Sequence, residues 1–248
     1  MSCCMKKEHR GSEWRKWDLH IHALGTKLND QFKATDGSDV WGAYCQKLHE
    51  SDVQAFGIAD YFSIDCYEAV YKEYRERYPN SRKVFFPNIE LRMSYVVNKK
   101  EEDVNIHLLF NPSVPDYVEK IKSFLNSLKI NRTDCNRRNI KVSELQNSYA
   151  SETTTREFIQ EALDQTYGPS ADLLDYLLLI TAANHDGIRA ESGKQRKQGI
   201  ANELDKFSDA FFSNAGNVEW FLKTDRAGDK REPTKPKPVL SCPFADRY

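Results

Sequence analysis

Trp17-Asp18-Leu19-His20-Ile21-His22-Ala23 alternates polar and apolar residues with a period of two, the pattern of a β-strand. Alternation is expected to place Asp18, His20 and His22 on one face and Trp17, Leu19 and Ile21 on the other. Two imidazoles two positions apart on a strand can reach one metal ion, with the Asp18 carboxylate as an outer partner for an imidazole N–H. Further along, apolar runs end in residues able to ligate a metal or move a proton. Val53 to Ala59 ends in Asp60, Val84 to Ile89 in Glu90, Val104 to Ile106 in His107, and Leu177 to Asn184 in His185.

Between these runs Gly42 to Glu50, Cys66 to Tyr78, Pro115 to Leu128, Thr154 to Thr166 and Gly199 to Phe212 read as helices. A weaker strand is expected near Val218 to Leu222, and a further strand at Pro238 to Ser241. Val53 to Ile58 and Leu177 to Ala183 are apolar on both faces, which suits a parallel sheet covered by helices. The class is α/β. A chain of 248 residues fits a single domain, because barrel-type α/β units use about 200 to 250 residues. In such a barrel the carboxyl ends of the strands share one rim, where active sites sit. Asn131 to Ser151 is polar and poorly periodic and reads as a long loop or an insertion over one face of the barrel. Tyr67, Tyr71, Tyr74 and Tyr78 have the spacing of a helix face packed on the sheet.

Composition excludes several classes. No apolar run approaches the roughly 18 residues of a membrane helix, and the N-terminus has no secretory signal. The six cysteines form no Cys-x-x-Cys, so neither a disulfide framework nor a zinc ribbon is indicated, and a reducing cytoplasm fits. Lys plus Arg total 36 against 37 Asp plus Glu, so no global basic field exists. Local basic runs do, at Lys129 to Lys141 and Arg189 to Lys197. No P-loop, dinucleotide fingerprint or nucleophile elbow is present, so no nucleotide site is expected in this chain.

The ordered set Trp-Asp-Leu-His-Ile-His, Gly-Ile-Ala-Asp-Tyr-Phe-Ser, Pro-Asn-Ile-Glu-Leu-Arg and Val-Asn-Ile-His-Leu-Leu-Phe resembles the PHP (polymerase and histidinol phosphatase) superfamily. It is most similar to the PHP domain at the N-terminus of TrlF-type AAA-like ATPases, and the similarity extends over essentially the whole chain. The resemblance implies a distorted (βα)7 barrel with a metal cluster at the strand ends, hydrolysing phosphoesters. It implies that His20 and His22 hold one metal, that Glu90 bridges, that His107 and His185 complete a second site, and that Glu90 and Asp60 are catalytic. Two divalent ions are implied, Mn or Zn and also Fe, since mixed His/carboxylate ligation suits these better than Mg. The family's histidine after Asp60 is Tyr61 here, which removes a ligand of a third metal. The final Asp-x-His motif is also missing: the chain runs from Pro238 to Tyr248 with Asp246 as the one candidate replacement. Arg92, two residues after Glu90, and Arg189, Lys194 and Arg196 are expected to bind substrate phosphates. The function implied is a nuclease working with an AAA/SMC-like ATPase partner, in a setting such as phage defence. A degenerate regulatory module and a small-molecule phosphatase are the alternatives, and oligomerisation is left open.

Overall fold

A computed structural model describes residues 15–28, 30–32, 39–96, 103–145, 149, 151–169, 175–181, 198–226 and 233–241. Its strands are β1 (Lys16–Ile21), β2 (Val53–Tyr61), β3 (Val84–Val96), β4 (Asp103–Phe110), β5 (Lys129–Thr133), β6 (Asn139–Lys141), β7 (Tyr176–Thr181), β8 (Ala210–Ser213) and β9 (Val239–Ser241). Its helices are α1 (Val40–Glu50), α2 (Asp65–Arg77), α3 (Tyr117–Ser127), α4 (Arg156–Tyr167), α5 (Gln198–Phe207) and α6 (Val218–Leu222). Two helices begin where a side chain satisfies an open N–H: Asp39 accepts from Gly42 at 2.8 Å ahead of α1, and Thr155 from Phe158 at 3.3 Å ahead of α4. Gly168, at φ +84°, ends α4 in a conformation that glycine adopts without strain.

Seven strands form one sheet in the order β1-β2-β3-β4-β7-β8-β9. The sheet is mixed: β4 runs antiparallel to both β3 and β7, and the other pairs are parallel. Only six residues join Val96 to Asp103, too few for the dozen or more that a parallel crossover needs. The expected (βα)7 barrel is therefore corrected to a mixed sheet, in which His107 lies inside an antiparallel strand rather than after a parallel one. The sheet also stays open, for no ladder joins β1 to β9 among the described residues. It is nonetheless curled: Leu19 of β1 shares a small inner cluster with Leu109, Phe212 and Leu240 of β9. The helices cover the opposite face, where Phe56, Ile58, Phe85 and Ile89 meet Leu48, Val70, Tyr74 and Phe124.

Two further expectations are corrected. The helix from Gly199 stops at Phe207, because the Asp209 N–H and carboxylate both bond to the Leu178 backbone and turn the chain into β8, wholly buried. Val218 to Leu222 is helical: Val218 and Leu222, four apart, face solvent while Phe221 stacks on Phe211 at 3.9 Å. The polar stretch after Asn131 is the β5–β6 hairpin followed by a 3-10 turn at Val142–Glu144. Of the four tyrosines read as one packing face, Tyr67 and Tyr74 are buried and Tyr78, just past α2, is half-buried, but Tyr71 is exposed. No helix among the described residues is long and apolar enough to cross a membrane.

Candidate metal centre

β1 delivers the two imidazoles through an irregularity. Its register on β2 shifts between Asp18 and Ile21, so the simple alternation expected there does not hold. Leu19 packs in the inner cluster, Ile21 in the outer one, and the His20 ring also lies inward, 5.8 Å from Phe212 and 4.5 Å from His107. A bulge leaves one residue more on this strand than its partner can oppose. Two neighbours hold it. Gly57 brings bare backbone against Leu19, where a Cβ would stand 2.1 Å from the carbonyl oxygen, and the Asn88 amide donates to that oxygen at 2.9 Å. Asp18 registers with Phe56, on the helix-covered side.

β3 and β4 deliver the rest. Direct pairing sets Glu90 opposite His107, and Asn88 and Asn105 lie two residues before each on the same face. The Asn105 amide donates to Glu90 Oε1 at 2.9 Å. Because the Asn88 amide nitrogen already donates to Leu19, its oxygen is the acceptor facing His107 Nδ1 at 3.1 Å. That assigns the His107 proton to Nδ1 and the lone pair to Nε2. The sequence reading missed Asn88 and Asn105. The signal was present in Asn-x-Glu and Asn-x-His, an amide on the same strand face as each site residue.

His20, His22 and Glu90 bring ligand atoms within 4.8 Å of one another. Glu90 Oε2 lies 3.4 Å from His20 Nε2 and 3.6 Å from His22 Nε2. Glu90 Oε2 and His22 Nδ1 are buried without a hydrogen-bond partner among the described residues, an arrangement that costs about 1–3 kcal/mol per neutral group, and more for a charged one, unless something else satisfies it. Burial alone would raise the Glu90 carboxyl, but the imidazoles of His107, His20 and His22 outweigh it and bring it to about 2. Burial, reinforced by His20, lowers His107 to about 3 against the pull of Glu90. Burial also lowers His22. At neutral pH Glu90 is thus a carboxylate, and His22 and His107 are neutral, in their ligating form. Two nitrogens and a carboxylate oxygen fit a divalent transition metal.

Asp60 sits beside this group as a loop anchor. Its Oδ1 accepts from Thr26 Oγ1 at 3.0 Å and from the N–H groups of Lys27 and Tyr61 at 2.9 Å each, while Oδ2 is buried with no hydrogen bond among the described residues. Tyr61 stacks on His22 with centroids 5.7 Å apart and 10° between planes. Burial, then the Glu90 charge, raises its phenol above the ordinary range. Next to it Phe62 holds φ +50°, strained for a bulky residue, and donates its N–H to Glu90 O at 3.1 Å. Arg92 is half-buried on the Glu90 face of β3. His185, Arg189, Lys194, Arg196 and Asp246 lie outside the described residues.

No protein-family model and no curated protein matches the chain. Among solved structures it is similar to a proposed metal-dependent phosphoesterase from Bifidobacterium adolescentis, at 10% identity and a TM-score of 0.35 over 81% of this chain and 77% of that one. Likeness at this level fixes neither fold nor activity, so the chemistry must be read from the site's own residues.

Proposed function

We propose that the chain is a metal-dependent phosphoesterase of PHP type, acting on nucleic-acid phosphodiesters in concert with an ATPase partner. The observation that carries the enzymatic reading is the convergence of His20, His22 and Glu90, whose ligand atoms lie within 4.8 Å of one another around the buried, unsatisfied Oε2 of Glu90. His20, His22 and Glu90 would hold the cation, and His107, oriented by Asn88, would offer Nε2 to a second one together with His185. When bound, such cations supply Lewis acidity at a phosphoryl group and acidify water near neutral pH. Glu90, kept ionised by its imidazole neighbours and fixed through Asn105, presents negative charge without needing to lose a proton first. Arg92, on the same strand face, would grip a phosphate oxygen.

The test is turnover of a generic phosphodiester with added Mn²⁺ or Zn²⁺. Activity should vanish with chelator and fall at least about 100-fold in Glu90→Gln, with the circular dichroism spectrum unchanged. Wild-type turnover in a folded Glu90→Gln protein would overturn the mechanism. Absence of both metal binding and turnover in the wild type would favour a regulatory module for the ATPase.

A further inference from the structure

We infer that the tip of the β5–β6 hairpin is a docking arm for the phosphate backbone of a polynucleotide, with Arg137 as its principal contact. The substrate class rests on the phosphoesterase reading above, whereas the contact itself needs no metal. The hairpin is stitched to the end of β3. Thr154 bridges Met93, takes its N–H to Arg92 O at 2.8 Å and receives the Ser94 N–H at 2.9 Å, while its hydroxyl donates to Lys129 O at 2.8 Å. The Asn131 N–H reaches Thr153 O at 2.7 Å. Met93 is three residues past Glu90, so at the rise of a strand the root of the arm begins about 10 Å beyond the metal centre.

The tip is rigid. Asp134 N–H donates to Arg138 O at 2.9 Å, Arg137 N–H to Asp134 O at 3.0 Å, and Asp134 Oδ1 accepts the N–H groups of Asn136 and Arg138 at 2.8 and 2.9 Å. Arg137 closes this turn at φ +61°, the left-handed region that glycine or asparagine would occupy with less strain. Its charge is also unspent. Lys129 pairs with Glu161, Arg132 with Glu152, and Arg138 with Asp134 and Glu144. Arg137 is exposed and no carboxylate among the described residues comes within ion-pair distance of it. No ion pair among the described residues uses this arginine, and a planar guanidinium fork matches a phosphate oxygen pair. A membrane surface fits less well, because Ile130 is buried and Ile140 packs on the core, leaving no apolar tip to insert.

The experiment uses the full chain in EDTA with fluorescein-labelled oligo-dT and oligo-rU, read by anisotropy over a salt series, with melting temperature in parallel. Arg137→Gly should weaken binding about three- to tenfold at low salt and flatten the log–log salt slope by about 0.7, one single-strand phosphate contact. The melting temperature should hold or rise, since glycine relieves the backbone; a merely structural arginine would lower it. Loss on one oligonucleotide alone would assign the preferred polynucleotide, still in favour of the arm. Equal affinity and slope in Arg137→Gly, no wild-type binding to either oligonucleotide, or binding to phosphatidylserine vesicles in place of both would overturn the proposal. Arg137-dependent binding in a chain without metal-dependent turnover would retire the enzymatic reading alone and leave the arm in place.

Discussion

The carbonyl oxygen of Leu19 is the point on which the imidazole side of the centre turns, held between the bare Cα of Gly57 and the amide of Asn88. Gly57→Ala would drive a methyl group into main chain, which cannot rotate away as a side chain can. Overpacking of this kind costs about 1–3 kcal/mol, or a fall in melting temperature of about 2–12 °C at this chain length. Because the displaced atom adjoins His20, Mn²⁺ or Zn²⁺ affinity should fall at least about tenfold, by titration calorimetry. A melting temperature and affinity equal to wild type would refute the contact. At this scale the sequence was informative about which residues meet, since His20, His22 and Glu90 were legible from strand-end positions. It was silent on how they meet, because a bulge is a property of two strands and β1 alone carries no sign of it.

Elements were legible where an apolar period ran uninterrupted, as in α2 and β2, and illegible where direction depended on a partner. Nothing within Val104 to Phe110 says that β4 runs antiparallel; that follows from the short connection after Val96, visible only once β3 is seen to extend past Leu91. β8 was hidden for a different reason, since Ala-Phe-Phe-Ser continues the apolar face of α5. What fastens this part of the molecule is a buried pair: Arg226 donates to both oxygens of Asp205 at 2.6 and 2.7 Å and to Lys235 O at 2.7 Å, while Lys237 donates to Asp205 O at 2.6 Å. These bonds tie α5 to the segment leading into β9. Arg226→Met would leave the buried Asp205 carboxylate with Lys237 alone, 4.0 Å from it, and should cost up to about 3–5 kcal/mol, whereas adding Asp205→Leu should restore part of it. Urea unfolding of the two variants, with amide exchange at Val239 and Leu240, checks this; equal stability of both would refute it.

For the molecule as a whole, acid lability follows from the centre. His107 stands at about 3 folded against 6.5 unfolded, so between these values unfolding takes up a proton and stability falls as pH falls. Glu90, at about 2 against 4.5, adds to the loss below pH 4.5 with the same sign. In metal-free protein, urea unfolding from pH 7.5 to 5 should show this decline, and His107→Gln should flatten it by up to about 1.4 kcal/mol per pH unit, one proton's worth. Parallel curves would show that His107 is not held neutral. The hairpin joining β3 to β4 also bears on how the centre comes into being. Glu90 and His107 are roughly 17 residues apart along the chain and His20 is roughly 70 from Glu90, a difference in loop-closure entropy of about 1 kcal/mol. Chain collapse therefore favours the carboxylate half first, as a local hairpin, and the imidazoles of β1 arrive late, onto a half-site already made.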